Sequence, residues 1–208
     1  MTLVKICGIT NVRDALATLE AGANLIGFVF AESPRRIDVS TAKHIRRIVG
    51  GDVRTVGVFT DESDEVLRIA DECDLNYVQL HGSQSEEFAR RIGAERVIRA
   101  VRVKSERSVA NLDLFPSAAC YLLDTYREGL AGGTGETFDW ELAVRAKSFG
   151  KPIILSGGLN AQNVLAAVLK VRPFAVDTAS GVESSPGVKD HHKIKEFIEN
   201  VRKADSIA

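Results

Sequence analysis

The sequence predicts a closed (β/α)8 barrel, and three observations carry the prediction. Short β-branched runs alternate with stretches of helical periodicity eight times along the chain. The repeat averages about 26 residues, which puts the whole near the lower size limit for that fold. The strand runs are continuously apolar, as strands must be when helices cover one side and a barrel core the other. Strand–helix–strand connections of this kind are local and right-handed, so eight of them close most simply on themselves. A doubly wound open sheet is the alternative. No linker, composition break or low-complexity run divides residues 1–208, so one barrel domain is expected.

The elements follow in order. Leu3, Val4 and Ile6 form a first strand that ends at Cys7, and Gly8 breaks it. Thr10-Asn11 offers N-cap chemistry for a helix over 11–21, with Val12, Ala15, Leu16 and Leu19 on its apolar face. Residues 25–30 are the second strand, followed by a polar loop over 31–36. Ser40-Thr41 can cap the second helix, whose buried side is Ala42, Ile45 and Val49. Strand three is 55–59. Its helix buries Val66, Ile69, Ala70 and Cys73, and that spacing makes Cys73 a core residue. Strand four, 77–80, ends in His81-Gly82, and a short helix spans 86–92. Strand five is 96–103, with a brief helix opening at Ser105. Strand six begins at Cys120 and ends in Asp124-Thr125. A glycine-rich loop over 126–138 leads to a helix near Asp139-Trp140. Strand seven, 152–155, is closed by Ser156-Gly157-Gly158, and its helix is expected from Asn160. Strand eight, 174–176, ends in Asp177, with Ala179-Ser180-Gly181 behind it. The last helix buries Ile194, Phe197, Ile198 and Val201. His191 and His192 open that helix and are expected in solvent.

The composition excludes several classes of function. Hydrophobic residues make up 45% and charged residues 26%, and the net charge is -1. A general nucleic-acid or membrane-surface binder needs a positive excess. No apolar run approaches the roughly 18–20 residues needed to span a bilayer. The chain opens directly into a strand, without a basic segment or a long apolar one, so a cytoplasmic location is expected. Three widely spaced cysteines argue against a disulfide framework. The four histidines join them in no metal-ligand spacing, so no metal site is expected.

In a barrel, chemistry sits at the C-terminal ends of the strands. Taking only those positions collects Cys7, Arg36, His81, Asp124, Gly157-Gly158 and the run from Asp177 through Ser180 to Gly181. The loops after strands seven and eight are the usual phosphate site of such barrels, and glycines let backbone N–H groups approach an anion closely. Asp124 directly follows Leu122-Leu123, where an unpartnered carboxylate would be costly, so it points to function. Asp177 has the same argument, or it orients neighbouring loops. Arginine suits a carboxylate ligand, but Arg36 and Arg35 can equally be solvated loop charges. His81 can serve chemistry or a structural hydrogen bond.

Taken together, Lys5-Ile6-Cys7-Gly8-Ile9-Thr10, Gly27-Phe28-Val29-Phe30, Ser33-Pro34-Arg35-Arg36, Val78-Gln79-Leu80-His81-Gly82, Leu122-Leu123-Asp124-Thr125, Gly132-Gly133-Thr134-Gly135 with Phe138-Asp139-Trp140, Leu155-Ser156-Gly157-Gly158-Leu159 and Ser180-Gly181-Val182-Glu183 are similar to the phosphoribosylanthranilate isomerases of tryptophan biosynthesis. The resemblance runs the length of the chain. It implies a barrel of the ribulose-phosphate-binding type and an Amadori rearrangement of an aldose amine to a ketose, without a cofactor. It implies Cys7 as general base, Asp124 as general acid and Arg36 on the anthranilate carboxylate. Gly157, Gly158, Ser180 and Gly181 would lie on the phosphate, with His81, Gly133 and Asp177 also at the substrate and the glycine-rich loop covering the site. The expected partner is a small phosphosugar, the chain acting as monomer or homodimer. After strand eight the chain has Thr178 and Ala179 where the family's pattern has valine and serine. That departure bears on a side-chain phosphate contact at 179, not on the backbone cradle. Two other readings fit parts of the pattern: the related histidine-pathway isomerase, whose kind uses an aspartate where this chain has Cys7, and a non-catalytic phosphosugar-binding barrel. The indole-forming lyase of the same pathway would need lysines at strand ends, where only Lys5, within strand one, comes near.

Overall fold

Strands rich in valine and isoleucine extend readily, but here they also lack any polar face, so each must be covered on both sides. The structure, a computed structural model, describes residues 1–125 and 137–207. Eight parallel strands close into a barrel in chain order: β1 (Leu3–Cys7), β2 (Leu25–Val29), β3 (Arg54–Phe59), β4 (Tyr77–Leu80), β5 (Val97–Val103), β6 (Cys120–Thr125), β7 (Ile153–Leu155) and β8 (Ala175–Thr178). Pairing of β1 with β8 completes the ring. The helices α1 (Val12–Glu20), α2 (Val39–Val49), α3 (Asp64–Glu72), α4 (Glu86–Ile92), α5 (Glu106–Ala110), α6 (Trp140–Ala146) and α7 (Val164–Val171) connect successive strands.

Alternation along each strand sends every second side chain inward. Leu25, Val56, Ile98, Ala100, Cys120, Leu122, Ile154 and Ala175 form the apolar plug of the barrel interior. Residues of opposite parity pack outward with the helices in a larger cluster that includes Ile6, Phe28, Val78, Leu123 and Val176. Cys73 is buried, as its spacing predicts, and Cys120 is buried too. Toward the C-terminal mouth the interior becomes mixed: Cys7, Val29 and Val58 form a small separate cluster.

Four local readings are corrected by the structure. The buried face of α1 is Asp14, Ala15 and Thr18, while Leu16 is exposed. The reason is polar: Asp14 Oδ2 accepts from the Lys189 backbone N–H at 3.1 Å, and Oδ1 lies 2.8 Å from His191 Nε2. His191 is therefore tied to the fold rather than solvated; His192 is exposed. The cap of α2 is Asp38, which accepts from Thr41 N at 2.9 Å, so Ser40 and Thr41 belong to the first turn. Helix α7 starts at Val164 rather than at Asn160, because Asn160 Oδ1 accepts from Gln162 N and Asn163 N and holds a turn there.

The stretch after β8 also carries structure that its short, polar sequence did not announce. β9 (Glu183–Ser185) and β10 (Val188–Lys189) pair antiparallel ahead of the last helix α8 (His191–Ile207). This small hairpin is fastened to the first two units. Thr10 Oγ1 donates to Gly187 O at 2.9 Å, and Arg35 donates twice to Glu183, Nε to Oε1 at 2.8 Å and a terminal nitrogen to Oε2 at 2.7 Å. No helix among the described residues is long and apolar enough to cross a membrane.

Candidate active site

Around the C-terminal ends of the strands, polar side chains join apolar ones such as Val29 and Val58 at the open mouth. The resulting cavity is a cleft that opens to solvent at the barrel mouth, where ligand sites of such barrels lie. It is lined by Cys7 from β1, His81 after β4, Asp124 from β6, Gly157 and Gly158 after β7, and Asp177 and Ser180 at β8. The structure thus brings most of the residues predicted from topology into one cavity. Gly181 is adjacent to Ser180 in a tight turn over Ser180–Val182. Arg36 lies outside the lining. It is exposed and forms no ion pair among the described residues. Arg35 lines the cavity instead, with its guanidinium committed to Glu183. Gly133 and most of the glycine-rich loop, 126–136, fall outside the described residues.

The glycines after β7 and β8 are required by geometry. Gly157 has φ +83° and Gly158 φ +71°, which L side chains rarely adopt. A Cβ on Gly157 would lie 2.4 Å from Thr125 N, and one on Gly181 2.0 Å from Leu159 O. The two loops therefore pack backbone against backbone, a concavity suited to an anion.

Beside this cradle, on the neighbouring strand β6, Asp124 is only slightly exposed. Its Oδ1 accepts from the Thr125 N–H at 2.9 Å, and its Oδ2 is 3.3 Å from His81 Nε2. That contact is close electrostatically but not aligned as a hydrogen bond, since His81 Nε2 counts among the buried atoms without a hydrogen-bond partner. Gln79 Nε2 lies 3.2 Å from His81 Nδ1 and fixes the ring from below. Gln79 Oε1 and Thr125 Oγ1 are likewise buried without a partner among the described residues. Unsatisfied polar atoms thus gather around Asp124.

Cys7 faces β2 at Gly27, its register partner. A Cβ at Gly27 would sit 2.7 Å from the sulfur, so glycine there makes room for the thiol. Burial pushes the thiol pKa up; Lys5 draws it down, Asp177 pushes it up and Lys189 draws it down, with a net rise. Lys5 is fully buried, with Nζ 2.9 Å from Asp177 Oδ1. The other carboxylate oxygen of Asp177 accepts from Ser156 Oγ at 3.1 Å. Lys5, Gln79 and Ser156 were missed as site residues. For Lys5 a signal existed: alternation places it on the inward face two residues before Cys7.

The family model for N-(5'-phosphoribosyl)anthranilate (PRA) isomerase matches residues 4–200 of the chain. The N-(5'-phosphoribosyl)anthranilate isomerase of Geobacter sp. (strain M21) is 50% identical over 205 residues, covering 98% of this chain and 99% of that protein. The crystal structure of phosphoribosyl anthranilate isomerase from Thermotoga maritima superimposes with a TM-score of 0.91 at 45% identity, over 98% of this chain and 100% of that one. A second structure of such an isomerase, in complex with reduced 1-(o-carboxyphenylamino)-1-deoxyribulose 5-phosphate, gives a TM-score of 0.87 at 43% identity, over 98% of this chain and 100% of that one.

Proposed function

The chain belongs to the N-(5'-phosphoribosyl)anthranilate isomerase family, an aldose–ketose isomerase of tryptophan biosynthesis, and on that premise we propose that Cys7 is its general base and Asp124 its general acid. The supporting observation is a single cavity that offers a thiol on β1, a carboxyl on β6 and a glycine cradle beyond β7 and β8. The 5-phosphate takes the cradle of Gly157, Gly158, Ser180 and Gly181. That end anchors the substrate, and its sugar then lies across the mouth between Cys7 and Asp124.

Asp124 protonates the furanose ring oxygen while the anthranilate nitrogen lone pair expels it. The C1′–O bond breaks and a cationic Schiff base forms. Cys7 removes the proton from C2′, and those electrons neutralise the iminium to give an enolamine. Protonation at C1′ and loss of the enol proton then yield the ketose, 1-(2-carboxyphenylamino)-1-deoxy-D-ribulose 5-phosphate. The raised Cys7 pKa fits a base that is needed only once a cation stands beside it, since the iminium both acidifies the C–H and stabilises the thiolate. His81 positions the Asp124 carboxyl from 3.3 Å, and Asp177 acts indirectly by holding Lys5. Arg36, unpaired among the described residues, is the reserve cation for the anthranilate carboxylate at the rim. The three cysteines stand free, which suits a cytoplasmic workplace.

The test is decay of substrate fluorescence with freshly made phosphoribosylanthranilate. We expect Cys7→Ser and Asp124→Asn each to lose roughly 10²–10⁴-fold in kcat with KM little changed, the usual weight of one acid or base. Normal turnover by either variant overturns its assignment. Arg36→Ala is expected chiefly to raise KM.

A further inference from the structure

We propose that Lys5 is a positioning residue that makes the Cys7 thiol a usable base, its ammonium held between the sulfur and the Asp177 carboxylate inside the barrel; this rests on the reading of Cys7 as the base. The strand geometry sets up the arrangement. Leu3, Lys5 and Cys7 share the inward face of β1, and Lys5 is the register partner of Asp177 on β8. Lys5 has no exposed surface and is among the largest fully buried side chains of the protein. A lysine in such a place keeps its charge only with a partner. Asp177 is that partner at 2.9 Å, and Asp177 is itself oriented by Ser156 on β7.

An ammonium has three N–H donors. One reaches Asp177 Oδ1, and Lys5 Nζ donates to no other oxygen among the described residues. The Cys7 sulfur, two residues on along the same face, is what remains for it, and the sulfur and the ammonium each bear on the other's ionisation. Burial draws the Lys5 pKa down, Asp177 and Cys7 push it up, and the outcome is upward, so Lys5 stays cationic.

The other charges around Cys7 are already engaged. Lys189, from β10, donates to Glu183 Oε1 at 2.7 Å and to Ala179 O at 3.1 Å. Arg35, from the loop after β2, is held by both oxygens of the same Glu183. Lys189 thus spends two of its three donors and Lys5 only one, and Lys5 alone shares the strand face of Cys7, so Lys5 has the most hydrogen-bonding capacity left for a thiolate. It offsets the desolvation that would otherwise keep the thiol protonated throughout turnover. Asp177 has two opposed effects: it holds Lys5 in place and charged, and it repels the thiolate.

Those signs give the experiment. Cys7 alkylation by iodoacetamide is followed at fixed pH by mass spectrometry of its peptide, because the rate tracks the thiolate fraction. The proteins compared are wild type, Asp177→Asn and the double variant Lys5→Met/Asp177→Asn, which leaves no unpaired buried charge. Removing a close cation should slow alkylation of the double variant by roughly 10–1000-fold relative to Asp177→Asn, one to three pKa units. Asp177→Asn is the reference because it lacks the same carboxylate, so the comparison isolates Lys5. The acidic limb of the kcat/KM profile should lie at higher pH in the double variant than in Asp177→Asn. A purely structural role would lower activity without moving either the alkylation rate or the limb, and that result overturns the proposal. If the double variant does not fold, Lys5→Gln/Asp177→Asn takes its place, with the same slowing expected and an unchanged rate overturning the proposal. An active Cys7→Ser protein would overturn the base assignment while leaving the alkylation comparison intact.

Discussion

At the scale of single residues, the site depends on side chains that are absent as much as on those present. Gly27 has no Cβ, and one built there would lie 2.7 Å from the Cys7 sulfur. Gly27→Ala should therefore push the thiol from its place. A displacement of about 1 Å at a reacting group can cost on the order of 100-fold in rate, with a stability loss of roughly 1–3 kcal/mol for overpacking. Steady-state kinetics beside a thermal melt separates the two effects, and unchanged kcat would show that the thiol has slack. Gly157→Ala meets backbone, with Thr125 N 2.4 Å away, so it should deform the cradle and raise KM. Cys7, Asp124 and the glycine pairs were legible in the sequence because topology alone places strand ends at the mouth. Lys5 was not, because a lysine in an apolar strand reads as an interruption until the strand's two faces are assigned. Arg35 and Arg36 were ambiguous for a different reason: only the fold reveals that Glu183, 148 residues away from Arg35, claims one and leaves the other unpaired.

At the scale of elements, the β9–β10 hairpin closes the side of the mouth where Cys7 lies. Glu183 joins Arg35 and Lys189, and Asp14 joins His191 and the Lys189 backbone. Burial pushes the carboxyl pKa of each upward, but these partners prevail, so both Glu183 and Asp14 sit below their ordinary values. A carboxylate depressed in the folded state contributes stability above its unfolded pKa and loses it as pH falls through the folded value. The hairpin should thus loosen in acid, below the ordinary carboxylate range. Glu183→Gln should cost about 3–5 kcal/mol at neutral pH, the usual effect of leaving buried partners unpaired, and should flatten the acid limb of stability against pH. Denaturant melts across that range test it, and an unchanged acid limb would remove Glu183 as its source. Strand and helix order were legible because periodicity records burial. The hairpin was not, since its strands are three and two residues long and are held by Asp14 from α1 and Arg35 from the loop after β2 rather than by a pattern of their own. The start of α7 was misplaced for a similar reason, as Asn160 closes a turn where the helix was expected to begin.

At the scale of the whole molecule, the interior is apolar below and ionic above, and the thiols report on that gradient. Burial pushes Cys73 up to about 11 and Cys120 up to about 12. A raised thiol pKa contributes stability that is complete below the unfolded value of roughly 8.5 and fades as pH rises through the folded one. The barrel should lose stability in alkali from about pH 9 upward. The double variant Cys73→Ala/Cys120→Ala should show a shallower loss in the same melts, and an identical slope would assign the effect elsewhere. The ring that makes this interior closes through β1 and β8, and 172 residues separate Lys5 from Asp177. On the ribosome, at about 5–20 residues per second, β1 waits on the order of ten seconds or more for its second neighbour. During that wait β1 is an edge strand, open to pairing with other chains. An inward-pointing charge is one way such edges are protected from aggregation, and Lys5, still hydrated until the ring shuts, supplies it. The residue assigned to tuning the base in the finished enzyme thus also guards the nascent chain against its neighbours.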